Sequence, residues 1–490
     1  MKHKLIRSGV IISIFSTMIL NAESADIEVK QAIKANGQIV HNKVQKQVSS
    51  LSGMFQEGEF YGRLRNNNFF FAYDKQDSSH DTHLIPAVGA SLVYESAAFS
   101  GVDFRVGLYS SHVFFDDSRD PVNRIKPGKD TFSRYNYVRT GSKSMAVVGQ
   151  ANLKYSVIKG SDIVLGRQLF ESFYTKSNDT KMIPNSFDGL TTTIKSLPNH
   201  TFKLAYLAKQ KLRDHTTNHS VLMYDDRDTS AGVQTNWNAN DDSAMHKGLS
   251  YTNLVAQGKS TDAPLIILDV VNKSIKNLQV NFSSYIVPEL LSQAMGELNY
   301  KVKFNGFSVT PGVRYIQQFD NGAGAVGGAS LSGDSTGYRD STSLDAQMIA
   351  ARVVTQIDDY KINLGYSNIL DNADLVTPWR GFPTAGYTRS MGMYNWKADT
   401  KSYRVEVIKG ANKTGIYKNM FIQASILYID GDIEKSSSAD SMFYYAGIVK
   451  NLESFPEFQY RVRLGYRDFV GDSSNISNYL DSRLEFNYLF

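Results

Sequence analysis

The chain has 490 residues, 42% of them hydrophobic and 21% charged, with a formal net charge of +5 and no cysteine. This balance excludes an unfolded chain and a disulfide-stapled scaffold, and the lack of thiols excludes a cysteine nucleophile, Cys-ligated zinc and an iron-sulfur cluster. With 28 Tyr, 27 Phe, 36 Gly and only 11 Pro, strands joined by many turns are favoured over an all-helical architecture.

Residues 1–25 read as a secretory signal peptide. Lys2, Lys4 and Arg7 precede an apolar run over 9–20, and Ala22, Ser24 and Ala25 offer cleavage sites, with cleavage expected after Ser24 or Ala25. Processing lowers the net charge to about +3, which implies no nucleic-acid partner. Residues 26–54 lie outside the barrel pattern and read as a pre-barrel, periplasmic segment, either a short amphipathic helix, for which Val40, Val44 and Val48 are spaced on one face, or an unstructured extension. From 55 to 490 no segment is apolar over the length that a membrane helix needs.

That last region alternates with a period of two. In 101–109, Val102, Phe104, Val106 and Leu108 oppose Asp103, Arg105 and Gly107. The polar side is Gln150, Asn152 and Lys154 in 147–157, and Glu297, Asn299, Lys301 and Lys303 in 292–304. Arg314 opposes Val313 and Tyr315 in 307–315, and Arg404 and Glu406 form the polar side of 400–409. In 457–467, Phe458, Tyr460, Val462, Leu464 and Tyr466 oppose Gln459, Arg461, Arg463 and Arg467, and in 482–490 the polar side is Arg483, Glu485 and Asn487. About eighteen or nineteen such segments are separated alternately by short turns and by long polar loops, the signature of a transmembrane antiparallel β-barrel of about 18 strands. Long loops are predicted at 114–145, 210–248, 318–342 and 368–401, and Tyr94, Tyr109, Tyr315, Tyr366 and Tyr466 are expected in the interfacial girdles. A soluble β-sandwich also alternates, but rarely carries four such loops.

A closed barrel has no internal boundary, so 55–490 is read as one domain in contact with outer-membrane lipid and lipopolysaccharide. Strand parity places Arg63, Arg105, Lys154, Arg314, Arg404, Arg461, Arg463 and Arg467 in a lumenal basic row. Arg167 joins the row, although Ile163 and Leu165 share its face. A water-filled lumen of this kind passes small polar solutes with no cofactor, no metal and no catalytic residue. His215 and His219, four apart, lack the intervening glutamate of a zinc-hydrolase helix. The alternative function is a barrel-anchored adhesin or receptor that uses its long loops.

Several segments resemble the OprD-type outer-membrane porin family, and in places its epsilon-class proteobacterial members. They are GRQ at 166–168 with NDTKMIPNSFDGL at 178–190, AAFSGVDFRVGLY at 97–109, PWRGFPTAGYTR at 378–389 with YNWKADTKSY at 394–403, and SGMFQEGEFYGRLRNNNFFFAYD at 52–74. The resemblance implies about eighteen strands, a homotrimer, a lumenal ladder of Arg and Lys that conducts carboxylate-bearing solutes such as amino acids or small peptides, and a third loop folded inward. Carried onto this chain, that constriction runs from Phe170 to Gly189 and includes Asn178, Asp179, Lys181, Asn185 and Asp188. Lys181 stands where family members commonly have Arg, which removes a planar bidentate fork and argues against tight carboxylate recognition. The C-terminal strand ending in Phe490 resembles the segment recognised by the outer-membrane barrel assembly machinery.

Overall fold

The computed structural model describes residues 31–41, 45–75, 82–114, 131–156, 158–227, 246–377, 379–410, 420–435, 439–452, 454–470 and 477–490. The predicted signal peptide lies outside the described residues.

Among the described residues, eighteen strands of seven or more residues close into an antiparallel barrel. In chain order they are β1 (Glu59–Tyr73), β2 (His83–Glu95), β3 (Val102–Val113), β4 (Ser144–Tyr155), β5 (Asp162–Gln168) and β6 (Ser186–Ile194). There follow β7 (His200–Lys211), β8 (Leu265–Asn272), β9 (Leu278–Val287), β10 (Leu291–Tyr300), β11 (Phe307–Asp320) and β12 (Gln347–Ile357). The last six are β13 (Tyr360–Ile369), β14 (Thr400–Lys409), β15 (Met420–Asp430), β16 (Ser441–Leu452), β17 (Phe455–Phe469) and β18 (Tyr479–Leu489). β18 closes on β1, with Tyr479 opposite Tyr73 and Leu489 opposite Arg63. Closure removes the open edges that no sheet can leave exposed to hydrocarbon.

The alternation has a direct physical reading. Leu64, Leu165, Val313, Leu364 and Val405 point outward and are half exposed or more, while Arg63, Asn67, Arg314, Arg404 and Glu485 point inward and are buried. An apolar exterior around a polar interior inverts a soluble protein and matches a lipid-facing wall. No helix among the described residues is long and apolar enough to cross a membrane. Short connections at one rim alternate with long loops at the other, which makes the short-turn rim the periplasmic one.

Parity changes where the ladder is irregular. Between β3 and β4 the register shifts at Gly107 and Leu108, so the inward set of β4 passes from Met145 and Val147 to Gln150, Asn152 and Lys154. Tyr109, expected in a girdle, is instead 5% exposed inside the barrel, where its hydroxyl accepts a hydrogen bond from Gln150 at 2.8 Å.

The pre-barrel segment is not the valine-faced helix that the spacing suggested. Ile39–His41 pairs antiparallel with Gln31–Ile33 in a hairpin that contains Val40, and Val48 lies in a short strand, Gln47–Val48, parallel to Ala98–Phe99. Val44 falls outside the described residues. The helix comes later, at α1 (Leu51–Gln56), where the Ser50 side chain accepts from the Gly53 N–H and caps it.

The largest apolar cluster lies inside the barrel. Phe170, Tyr174, Tyr285, Trp379, Tyr387 and Trp396 belong to it, and all but Tyr285 sit on loops that turn into the lumen.

Candidate functional site

The site is the lumen, narrowed by two inward loops. Between β5 and β6, residues 169–185 cross the interior and are held from several sides. Arg63 donates from Nη2 to Asp179 Oδ2 at 2.7 Å, and Arg65 donates from Nη1 to Asp179 Oδ1 at 2.7 Å. Asn67 donates to the Lys181 carbonyl at 2.8 Å, and Lys211 Nζ to the Pro184 carbonyl at 2.9 Å. All four anchors are inward positions on strands, so the wall itself fixes the constriction.

Residues 370–399, between β13 and β14, form the second inward loop. Arg314 donates to the carbonyls of Pro383 at 2.6 Å and Ala385 at 2.9 Å while it pairs with Glu297, and its guanidinium stands 4.5 Å from the Tyr387 ring centroid. Arg352 donates to the Gly386 carbonyl at 2.8 Å. The two loops meet where Thr175 bridges Arg380, Asn178 donates to the Arg380 carbonyl at 3.1 Å, and Tyr285 packs edge-on between Tyr174 and Trp379.

The basic strip occupies three adjacent strands. Across β17, β18 and β1 the register aligns Gln459, Asn487 and Arg65, then Arg461, Glu485 and Asn67, then Arg463, Arg483 and Phe69. Arg463 pairs with Glu485, and Arg483 reaches both oxygens of Asp481 at 3.0 and 2.7 Å. Here Arg63, Arg65, Arg461, Arg463 and Arg483 stand against three carboxylates, Asp179, Asp481 and Glu485, and Arg467 adds a sixth guanidinium on β17, leaving an excess of positive charge on one side of the lumen.

The other expected site residues divide. Arg404 pairs with Glu406, its neighbour two positions on. Arg105 faces inward but pairs with Glu95 at 2.7 Å, not with Asp103, which lies 3.2 Å from Lys154. Arg467 donates to the Ser441 hydroxyl at 3.2 Å. Phe170, Asn178, Asp179, Lys181 and Asn185 belong to the first inward loop; Lys181 is buried, its ammonium 4.3 Å from the Phe69 ring centroid, and Asn185 donates to the Lys176 carbonyl at 3.0 Å.

Arg167 and Asp188 leave the site. Arg167 shares its face with the exposed Ile163 and Leu165, and its Nε and Nη2 bind Asp188 bidentately at 2.8 and 3.0 Å. Asp188 is a strand residue opposite Arg167 on the outward side, beyond the end of the loop.

Arg65, Arg352 and Lys211 were missed, and Arg483, read on the polar side of 482–490, was left out of the basic row. For Arg65, Arg352 and Arg483 the signal was present, because each shares the parity of a neighbour on its own strand. His215 Nδ1 and His219 Nε2 are joined by a 2.7 Å hydrogen bond within a buried loop. Among the described residues, Asp371, Asp399 and Asp432 converge at the long-loop rim, where the Lys435 ammonium lies 2.7 Å from Asp371 and pairs with Asp432.

Beneath the first inward loop lies a chamber of about 330 Å³, lined in part by Tyr61, Arg105, Gln150, Phe170, Thr193 and Lys203.

No protein-family model matches the sequence, and no curated protein matches it. Solved structures do. Acinetobacter baumannii OccAB1 superposes with a TM-score of 0.65 at 15% identity, covering 90% of this chain and 98% of its own. Pseudomonas aeruginosa OccK8 (OprE) gives 0.64 at 14%, covering 89% and 99%. OpdK of Pseudomonas aeruginosa, solved with vanillate, gives 0.62 at 13%, covering 89% and 100%. The chain therefore has the eighteen-stranded fold of the Occ outer-membrane proteins, the architecture that the resemblance to OprD-type porins implies.

Proposed function

We propose that this protein is an outer-membrane porin through which small hydrophilic solutes and ions diffuse down their gradients, with a preference for solutes that carry a carboxylate. The observation that carries this reading is the strip of six arginines on β17, β18 and β1, set in a polar lumen that the loop 169–185 narrows.

Fixed guanidinium groups raise the local anion concentration over roughly 8 Å at physiological ionic strength, and the low-dielectric wall around a narrowed, water-filled lumen focuses that field. Planar guanidinium forks also match carboxylate geometry. Vanillate, bound in the structure of OpdK, is itself a carboxylate and agrees with this preference. Lys181 does not act as a fork: its ammonium is buried against Phe69, and selection rests on the strip. The deep burial of 370–399, with Trp379, Tyr387 and Trp396 nearly inaccessible, favours a channel over an adhesin, because that loop is spent on lining and packing the pore.

The test is single-channel recording of the purified protein in a planar bilayer, with the reversal potential taken across a salt gradient. Stepwise openings with an anion-directed potential are expected. Silence in well-folded, heat-modifiable protein overturns the porin reading, and a cation-directed potential overturns the carboxylate preference.

A further inference from the structure

We propose that the N-terminal hairpin, residues 31–41, is a second constriction of the pore, seated in the periplasmic half of the lumen with Lys34 and Gln38 as part of the permeation path. This rests on the porin reading.

The hairpin is tied at the periplasmic rim by both arms. Gln31 donates to the Phe490 carbonyl at 3.1 Å, while the His41 ring stacks on Tyr61 at 5.0 Å and stands 3.6 Å from Glu59. From these points the chain turns inward. The turn is closed by the Lys34 N–H to Gln38 carbonyl bond and the Gly37 N–H to Lys34 carbonyl bond, both 2.8 Å. Its tip reaches Arg63, four residues or about 13 Å along β1 from the rim, and the Gly37 carbonyl accepts from Arg63 Nη1 at 2.8 Å.

The same guanidinium holds Asp179 through its other nitrogen, so one arginine positions both constrictions. The fit at the tip is specific to glycine. Gly37 has a φ of +84°, and a Cβ there would stand 1.9 Å from the Asp179 carbonyl oxygen. Gln38 completes the contact by donating to Glu171 at 3.3 Å.

The tip thus forms the floor of the chamber whose roof is the loop 169–185. Lys34 is exposed and Gln38 half-buried, and both line that chamber, as do Arg105 and Lys203 on the wall. A solute passing the first constriction meets this floor next, and the Lys34 ammonium extends the positive field toward the exit.

Because the chain has no cysteine, Lys34→Cys introduces a single thiol. During recording, a small anionic methanethiosulfonate reagent is expected to lower the open-channel current in one step and shift the reversal potential toward cations. A thiol that fails to react, or a labelled channel with unchanged current, overturns the proposal. Deletion of residues 31–41 is expected to raise conductance about twofold or more and to weaken ion selectivity; a deletion variant with the conductance of the intact channel also overturns it. If that variant does not assemble, the thiol experiment decides alone. An intact channel that conducts yet ignores both changes removes the hairpin and leaves the porin. Silence of the well-folded intact protein removes the porin reading and this inference with it.

Discussion

Arg63 and Asp179 are 116 positions apart in the chain and 2.7 Å apart in the barrel, each 1 to 3% exposed at the side chain. Arg65 grips the second oxygen of the same carboxylate, also at 2.7 Å, and its Nη2 bonds the Asp179 backbone carbonyl at 3.1 Å. One acidic side chain thereby pins the loop 169–185 to the first strand. Two buried cations depend on it.

Replacing that carboxylate leaves two facing guanidinium groups without their shared counter-ion. Asp179→Asn is expected to cost the loop about 3 to 5 kcal/mol, the scale for breaking a buried pair from one side. Single-channel traces should then flicker between conductance levels, while the heat-modifiability of the barrel stays near that of the parent.

On the strip, Arg463→Gln removes one positive charge and the ion-pair partner of Glu485, which keeps Arg461 opposite it. Reversal potentials are expected to move toward cation preference. The double variant Arg463→Gln/Glu485→Gln should recover most of the shift, since it removes both charges together. If the double variant behaves like the single one, the pair does not set the field of the pore.

The second inward loop depends on close backbone approach. A Cβ at Gly365 would stand 2.3 Å from the Tyr387 carbonyl oxygen, whereas one at Gly296 would meet nothing within 4 Å. Gly365→Ala is expected to displace 370–399 at a cost of about 1 to 3 kcal/mol and to change conductance. Gly296→Ala serves as the matched control, with current and thermal stability unaltered.

His246 makes the long-loop rim sensitive to acid. Its Nε2 donates to the Gly328 carbonyl at 3.0 Å and its Nδ1 accepts from the Gly248 N–H at 3.1 Å, so the ring is neutral where the loops meet. Burial holds its pKa down at about 4. A depressed histidine gives stability that is full above the unfolded value near 6.5 and is lost as pH falls from there toward 4, because the open loop takes up a proton that the closed one refuses. Protease protection of 246–264 should therefore decline between pH 6.5 and 4. In His246→Gln that part of the decline should disappear.

What the sequence determined by itself is the wall. Period-two alternation is a local property, so 457–467 alone separates the lipid-facing Phe458 and Leu464 from the lumenal Arg461 and Arg463, and the spacing of turns and loops sets the number and direction of strands. The expectations that failed were those that set parity aside: Tyr109 shares the inward parity of Asp103 and Gly107, Arg167 shares the outward face of Ile163 and Leu165, and Asp188 came from the resemblance and not from the alternation. What only the tertiary structure decided is the interior. Closure brings β18 beside β1, which turns arginines separated by hundreds of residues into one strip, and it sets Arg63 opposite both Gly37 and Asp179. Those contacts depend on loops packing against distant strands, and no periodicity along the chain encodes which carbonyl a buried guanidinium will find.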